Sequence, residues 1–275
     1  MPEIWAGQLG ELRAASTAGG GTSLTTTATY IQLPLKSNHI FITPRSFTAT
    51  TLVAKVTLNP WLVVLKTTDA MTTMPVDYSN AAQDASTSTD VTVTDLNTVA
   101  NGDFLLVGSH LPFRGVYFDV DDANDAGTAT VAVYYWNGNA WANTSATVTG
   151  IRSTMVWDKD GLAYWTVPSA WVVGRLVDIY PNIDAETAKK TYATMPLYWT
   201  RWGVDALLEA DGVTFNSMVA ANRSTAYAEL LSGQCLEQRI KHGEIGGIGC
   251  VEALTAASTA KLLVNVSTVQ GGRYS

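Results

Sequence analysis

The sequence predicts an all-β protein: a jelly-roll-like β-sandwich inserted in or following a second β-rich layer, with an extended N-terminal arm. Short runs of β-branched, aromatic and alternating apolar residues recur along the chain, turn-forming Gly, Pro and Asn residues separate them, and only one short stretch has helical character. A chain of 275 residues buries roughly three quarters of its unfolded surface, which is enough for one large all-β domain or two smaller ones.

Residues 1–27 form the predicted N-terminal arm. Residues 6–27 are rich in Gly, Ala, Thr and Ser, include the run GGGTS at 19–23, and have neither a helical nor a strand period. A segment with so few apolar groups is expected to order only when a partner supplies a surface. Ile4 and Trp5 are the predicted anchors, because a large ring seated in a pocket is how a sparse tail gains affinity.

A β-rich assembly domain is predicted from residues 28–101 together with 211–275. Its strand-like runs lie at 29–33, 39–43, 51–58, 61–67, 245–253 and 261–269. Residues 68–101 are rich in Thr, Ser and Asp and predict a long surface loop with one small strand after Asp90. Because a terminal strand can pair with the first ones, the two parts are expected to form one layered domain.

Residues 102–210 form the predicted jelly-roll-like β-sandwich, inserted between those two parts. Its strand-like runs lie at 103–107, 114–120, 128–136, 141–148, 162–167 and 196–208. One short helix is predicted over Asp184–Tyr192, where Glu186 and Lys190 stand four residues apart.

The run YYWNGNAW at 134–141 predicts a β-hairpin, because an Asn-Gly pair tolerates the positive φ angles of a tight turn. A two-residue turn places Tyr134 opposite Trp141, whereas a four-residue loop places Trp136 there. Either register gives an aromatic cross-strand pair worth roughly 0.2–1 kcal/mol. The rings therefore have two interpretations: sheet-locking core packing, or a platform on which Tyr134, Trp136 and Trp141 stack against a sugar.

Two arginines lie inside apolar, aromatic strands. Arg114 stands between Phe113 and Tyr117, and Arg201 lies between Trp199 and Trp202. Arginine stacked on an aromatic ring contributes roughly 0.5–2 kcal/mol, so both are expected to be core arginines, in a cation–π contact or an edge salt bridge inside the sandwich, or to anchor an interface.

Composition argues against several classes of partner. Only 15% of residues are charged while 47% are apolar, a balance that suits faces covered by copies of the chain or by partner subunits. The net charge of −7 and the lack of a Lys/Arg cluster disfavour nucleic acid. The sequence contains no run of about 18 apolar residues, and its first residues lack the basic and then apolar pattern of a signal sequence, so a soluble chain without a classical secretion signal is expected. Cys235 and Cys250 are expected to be reduced thiols.

No catalytic or metal motif is recognisable, so the chain is expected to be neither an enzyme nor a cofactor protein. His39, His110 and His242 are scattered, and Ser109 beside His110 is expected to cap a turn because strand neighbours point to opposite faces. Asp119–Gly127 carries four carboxylates but matches no phase of an EF-hand loop. Capping and solubility explain this acidic turn; a calcium ion of the jelly-roll kind is the alternative.

Four aromatic segments carry a family resemblance. They are, in order, FRGVYFDV at 113–120, the hairpin at 134–141, DGLAYWTVPSAW at 160–171 and LYWTRW at 197–202. This set resembles a β-sandwich module of tailed-phage virion proteins, which is itself similar to carbohydrate-binding and discoidin-like jelly rolls. Residues 39–69 and 233–272 also resemble parts of phage structural proteins. The resemblance implies a virion component made in the host cytoplasm.

The expected function is that of a phage virion structural protein present in many copies. A capsid decoration or cement role is the first interpretation, with other copies and other virion proteins as partners and with neither nucleic acid nor membrane. Neck, tail or baseplate positions suit the same sequence. The alternative from another class is a module that attaches the particle to surface glycans. A tailspike depolymerase fits least, because the chain lacks a β-helix repeat.

Overall fold

A computed structural model describes residues 13–14, 21–33, 37–47, 53–84, 86–94, 96, 102–125, 128–150, 155–208, 212–222, 228–241, 243–255 and 260–267. Strands make up 47% of the chain and helices 5%, against about a third helix in ordinary globular proteins, so the predicted all-β class is confirmed. The predicted arm anchors Ile4 and Trp5 lie outside the described residues.

The strands run almost from one end of the described chain to the other. In chain order they are β1 (Arg13–Ala14), β2 (Thr22–Leu24), β3 (Thr29–Gln32), β4 (His39–Arg45), β5 (Ala54–Pro60), β6 (Val63–Thr67), β7 (Val76–Asp77), β8 (Val91–Thr92), β9 (Phe104–Ser109), β10 (Gly115–Asp122), β11 (Val131–Trp136), β12 (Trp141–Asn143), β13 (Thr147–Val148), β14 (Gly161–Tyr164), β15 (Val173–Gly174), β16 (Leu197–Val204), β17 (Thr214–Ala221), β18 (Ala228–Leu230), β19 (Leu236–Arg239), β20 (Ile248–Thr255) and β21 (Ala260–Ser267).

The helical content of the described residues is confined to one region. The helices are α1 (Leu176–Ile179), a 3-10 turn at Thr187–Lys189 and α2 (Thr191–Thr194). The single helix predicted over Asp184–Tyr192 is therefore wrong. Lys190 adopts an extended conformation with ψ of 147°, which breaks the helix, and Glu186 pairs with Lys189 at 2.6 Å in place of Lys190.

Two compact units divide the chain: residues 1–59 with 222–275, and residues 60–221. These boundaries differ from the predicted ones, because residues 60–101 and 211–221 belong to the inserted unit. The reason lies in strand pairing. Strand β6 is buried at all five positions and pairs with β9, while β17 pairs with both β10 and β8.

The unit formed by residues 1–59 and 222–275 contains two antiparallel sheets. One has the order β1-β21-β4-β19, with β2 also paired to β21, and the other has the order β18-β5-β20-β3. Strand β4 alternates buried and half-buried side chains, the pattern of a strand with one face on a core. Both sheets contribute to one cluster of buried residues, including Ile40 and Leu262 from the first and Val56 and Val251 from the second.

Part of the predicted arm belongs to this unit. Residues 22–24 pair with residues 260–262 of β21, and residues 13–14 pair with the same strand further along. The prediction that residues 1–27 form an extended arm outside the β-rich domain is therefore wrong for β2, because Leu24 is fully buried in the core. A single apolar residue among Gly and Thr gave no detectable period, yet burying one leucine contributes roughly 1.5–3 kcal/mol.

A buried carboxylate lies at the two junctions of the inserted unit. The Glu252 side chain is 3% exposed, and its Oε2 atom accepts hydrogen bonds from Asn59 Nδ2 at 2.9 Å and from the Asn222 backbone N–H at 2.6 Å. Asn59 is the last residue before the inserted unit and Asn222 is the first after it. One oxygen atom therefore holds the point where the chain leaves this unit next to the point where it returns.

The inserted unit is a sandwich of two antiparallel sheets. The larger has the order β12-β11-β16-β9-β6-β7, with β15 also paired to β16, and the smaller has the order β13-β14-β10-β17-β8. Their inner faces share one core, to which the larger sheet contributes Leu105 and Trp202 and the smaller Phe118 and Phe215. This architecture confirms the sandwich; its jelly-roll connectivity stays a prediction.

In the segment 68–101, which is predicted to be a loop, the side chain of one glutamine forms hydrogen bonds with the backbone of the sandwich. Gln83 is fully buried, and its Oε1 atom accepts a hydrogen bond from the Leu62 N–H at 2.6 Å. Its Nε2 atom donates to the Leu62 carbonyl and, at 3.1 Å, to the Ser79 carbonyl. The side-chain amide thus pairs with a backbone residue as a neighbouring strand would.

Candidate functional site

The aromatic residues of interest lie on the outer face of the larger sheet. Strand side chains alternate between faces, and Val133 and Trp202 point into the shared core. Their sequence neighbours Tyr134 and Arg201, which pair directly across β11 and β16, therefore point outward. This outer face carries Tyr134, Trp136, Trp141 and Arg201, each of them partly exposed.

The hairpin at 134–141 adopts the second of the two predicted registers. Trp136 pairs with Trp141, and their rings meet edge to face with centroids 5.6 Å apart. Residues 137–140 form the loop, in which Asn137 Oδ1 accepts hydrogen bonds from the N–H groups of Asn139 and Ala140 at 3.0 and 2.8 Å. Gly138 has a φ of 95°, which a residue with a Cβ atom rarely adopts.

Replacing Gly138 with alanine is expected to lower the free energy of unfolding by about 1 kcal/mol. The left-handed backbone strains the new residue, and its Cβ atom would approach Val172 Cγ2 to 3.2 Å. Urea denaturation measures the change. Asn139→Ala is the matched control in the same loop and is expected to change stability by less than about 0.5 kcal/mol, because its backbone bond survives. Equal losses would contradict a conformational role for Gly138.

Arg201 lies at the centre of an aromatic cluster that we call the arginine box: Arg201, Phe104, Tyr134, Trp141 and Tyr180. The guanidinium carbon is 5.5 Å from the Phe104 ring centroid, 5.4 Å from that of Tyr134 and 5.1 Å from that of Trp141. All three distances are within the range of cation–π attraction. The predicted cation–π contact of Arg201 is therefore present, but its rings come from β9, β11 and β12 and not from Trp199 and Trp202, its neighbours in the sequence.

Tyr180 covers the arginine box from the end of α1. Its ring stacks on Phe104 at a centroid distance of 5.9 Å, and its centroid lies 6.4 Å from that of Trp141. Burial raises the pKa of the Tyr180 hydroxyl, and the nearby Arg201 cation opposes this rise only in part. Burial also lowers the pKa of Arg201. Guanidinium nevertheless remains protonated in proteins, so the box holds a positive charge beside a neutral phenol.

The indole of Trp199 lies beside the arginine box and supports the segment that covers this face. Trp199 is fully buried, and its Nε1 atom donates to the Gly174 carbonyl at 2.9 Å. Its ring lies directly on Gly108, where a Cβ atom would come within 2.5 Å of the ring carbons. Only glycine permits this approach, which seats the segment carrying β15 and α1 on the sheet. That segment leaves Trp136 and Trp141 partly uncovered.

Arg114 does not share the environment of Arg201. Its side chain is exposed just before β10, while the preceding Phe113 is fully buried against Trp165 and Trp171. The prediction of a buried arginine at this position is therefore wrong, while the predicted edge salt bridge stays a prediction. Its alternative role as an interface anchor stays a prediction.

Two carboxylates face one another on the smaller sheet. Strands β10 and β14 pair Phe118 with Gly161, and just beyond this pair the Asp160 carboxylate accepts a hydrogen bond from the Val120 N–H at 2.9 Å, beside Asp119. Burial raises the pKa of the Asp119 carboxyl, and the facing Asp160 carboxylate raises it further, while Asn216 opposes the rise. The Asp119 carboxyl therefore keeps its proton to a higher pH than an exposed aspartate does.

Asp119→Asn is expected to stabilise the protein at neutral pH by about 0.2–1 kcal/mol, the range for cross-strand pairs. Because the folded state raises the pKa of Asp119 above 3.8, its stabilising contribution is complete below that pH and is lost as the pH rises through the folded pKa. The amide keeps a neutral donor towards Asp160 at every pH. Thermal melts should therefore show a gain at pH 7 that disappears near pH 3. A gain independent of pH would contradict this origin.

The acidic turn at 119–127 exposes the side chains of Asp121, Asp122 and Asp125 and buries that of one asparagine. Asn124 is fully buried, and its Nδ2 atom donates to the Val156 carbonyl at 3.0 Å. In the part of the chain that the structure describes, no group of three or more His, Cys, Asp or Glu side chains is arranged to hold a metal ion. Residues 126 and 127 lie outside the described part.

The surroundings of Ser109, His110 and the two cysteines indicate structural roles for these residues. Ser109 Oγ accepts a hydrogen bond from the Leu111 N–H at 3.2 Å, which is the predicted turn cap. Burial lowers the pKa of His110, so its ring is neutral at pH 7. Cys235 is exposed and Cys250 is buried, and no disulfide joins them. Within the described residues no helix has the length and apolarity needed to cross a membrane.

Comparison of the chain with protein-family models, with curated proteins and with solved structures found no match.

Proposed function

We propose that the chain is a structural protein of a phage virion, present in many copies and decorating the capsid through protein–protein contacts. The observation that carries the proposal is the division of the chain into two β-units, one built from residues 1–59 and 222–275 and the other inserted at 60–221. Such a division suits one unit that binds a repeated surface and another that is displayed or contacts neighbours.

The edge of the larger sheet supports a role in contacts. Strand β7 ends the strand order of this sheet, and its Val76 side chain is 50% exposed. Met74, two residues earlier, is 56% exposed. An exposed apolar edge strand offers unpaired backbone groups and apolar surface to another chain. Together with the low content of charged residues, this edge favours assembly with other proteins.

Phage particles assembled without this chain test the proposed position. Closed heads that retain DNA but rupture under milder heat or osmotic shock are the expected result for a decoration protein. Particles without tails, or heads that leak DNA, would contradict decoration and indicate the neck, tail or baseplate alternatives. Adding the purified chain back should restore the resistance of the heads.

Val76→Lys tests the edge strand in the same assay. A lysine on an edge strand hinders pairing with another chain, so the variant should bind the particles at least tenfold more weakly. Leu207→Lys is the matched control, because Leu207 is 55% exposed but lies in a loop after β16. Equal binding by both variants and the unmodified chain would place the contact elsewhere and contradict the role of β7.

The second candidate is a glycan-binding attachment module. The partly exposed Tyr134, Trp136 and Trp141 on one sheet face favour it, because aromatic rings stack on the apolar faces of pyranose sugars. Loss of sugar affinity in Trp136→Ala and Trp141→Ala, with folding intact, would support this candidate. Unchanged affinity or loss of folding would support packing alone.

A further inference from the structure

We infer that the arginine box, together with the adjoining Trp136, is a binding site for a carboxylate-bearing pyranose, a uronate sugar. This inference deepens the glycan-binding candidate and is independent of the position of the chain in a virion. It rests on three properties of the site: a cation without an acidic partner, polar groups with unused hydrogen-bonding capacity, and aromatic rings beside them.

The first property is the isolation of the Arg201 charge. Among the residues that the structure describes, the ion pairs within 4.0 Å include those of Lys55, Lys189, Arg175 and His39, and none involves Arg201. A partly buried cation is ordinarily paired, because removing it from water is costly. The aromatic rings offset part of this cost, and an incoming carboxylate would offset more.

The second property is a set of unused hydrogen-bonding groups. The Nε atom of Arg201 and the hydroxyl oxygen of Tyr180 are both buried and complete no hydrogen bond of normal geometry in the described part of the chain, although the Tyr180 hydroxyl lies within reach of the Arg201 and Trp141 side chains. The two side chains are nevertheless close enough for each to shift the pKa of the other. A buried polar group left without a partner costs roughly 1–3 kcal/mol. Small movements of a ligand and of Tyr180 can therefore satisfy both groups together.

The third property is the arrangement of the rings. The Trp141 ring centroid lies 5.1 Å from the guanidinium carbon and 5.6 Å from the Trp136 ring centroid, and both indoles keep part of their surface exposed. A pyranose stacked on the exposed part of the Trp141 ring, with its edge against Trp136, would bring a carboxylate on the sugar ring within reach of Arg201. Stacking gives affinity for sugars in general, and the guanidinium gives preference for acidic ones.

The preference for acidic sugars depends on Arg201 itself and not on the overall charge of the chain. The chain carries a net charge of −7, so its overall field repels an acidic ligand. Guanidinium and carboxylate form short, charge-assisted hydrogen bonds, often in pairs, which a neutral sugar cannot reproduce. An acidic sugar that binds this protein therefore needs a specific cation, and Arg201 lies beside the partly exposed indole of Trp141.

Isothermal titration with uronate oligosaccharides tests the inference. The probes are tetramers of galacturonate, glucuronate and mannuronate, each compared with its methyl ester, which keeps the sugar but removes the charge. At least one acid should bind at least tenfold more tightly than its ester, and this binding should weaken in 0.5 M salt because dissolved ions screen a charged contact. Equal affinity for acid and ester, or no binding to any acid, would overturn the inference.

Variants locate the site. Arg201→Gln should reduce affinity for the acid at least tenfold while leaving the weak ester binding unchanged, and Arg114→Gln, which changes an exposed arginine of the same unit, should have no effect. Circular dichroism in the aromatic region verifies folding. If Arg201→Gln does not fold, Arg201→Lys takes its place, since it keeps the charge but loses paired hydrogen bonds. A folded Arg201 variant with unchanged acid affinity would overturn the inference and leave the virion proposal untouched.

Discussion

Replacing Trp202 with alanine is expected to destabilise the inserted unit by about 3–5 kcal/mol. The indole is fully buried in the core between the two sheets, and its ring meets that of Trp165 edge to face at 6.0 Å. Its Nε1 atom donates to Thr200 Oγ1 at 2.9 Å. The substitution removes the ring from the core, breaks this hydrogen bond and leaves a large cavity. Chemical denaturation followed by circular dichroism measures the loss.

Two variants separate core packing from a general effect of removing an indole. Trp202→Phe keeps most of the apolar volume and should cost less than half as much. Trp136→Ala, at a partly exposed position of the same sheet, should cost about 1 kcal/mol, because it removes one edge-to-face ring contact and little buried area. A similar loss of stability in Trp136→Ala and Trp202→Ala would show that the stability of the sandwich does not depend on packing between its inner faces.

Gln83→Ala is the second large effect, with an expected loss of about 3–5 kcal/mol. The substitution removes the amide that pairs with both backbone groups of Leu62 and with the Ser79 carbonyl. Leu62 is fully buried, so water cannot replace the lost partners. Each buried group left unsatisfied costs roughly 1–3 kcal/mol, and the missing side chain adds a cavity. Urea denaturation measures the loss.

Gln83→Met distinguishes the hydrogen bonds from the volume. Methionine has nearly the same length and fills the same space, but it neither donates nor accepts in the manner of an amide. If the hydrogen bonds dominate, the stability of Gln83→Met should remain within about 1 kcal/mol of that of Gln83→Ala. If Gln83→Met recovers most of the stability, the glutamine contributes through its packing volume and not through its hydrogen bonds.

Local patterns were sufficient to predict much of the fold. The Asn137-Gly138 pair marked the hairpin, since the positive φ of Gly138 is a requirement that few residues meet. Alternating apolar residues marked β4 and β21, whose inner faces lie on a core. These signals depend only on a residue and its near neighbours, which is why they can be read before the partners are known.

The elements that were missed depend on distant partners. Strand β17 has a register shift opposite Asp119 and Val120, so its apolar side chains do not alternate cleanly. The role of Gln83 depends on Leu62, which lies 21 residues away in the sequence. No local period indicates either arrangement.

The candidate site was predicted only in part for the same reason. The aromatic residues of the hairpin and Arg201 were recognised, but the strands adjoining Arg201 were not known. Pairing of β16 with β9 and β11 brings Phe104 and Tyr134 to the guanidinium, although they lie 97 and 67 positions away. Tyr180 follows a short helix and gave no signal as a site residue.

The hydrogen bonds of Glu252 to Asn59 and Asn222 have a consequence for the modularity of the chain. Because the exit and re-entry points adjoin one carboxylate oxygen, a short peptide could close the gap in place of residues 60–221. The inserted sandwich is then an exchangeable cassette, and its ancestors could have been gained, lost or replaced without rerouting the surrounding fold. The same junction is therefore expected to accept a foreign domain whose own termini lie close together.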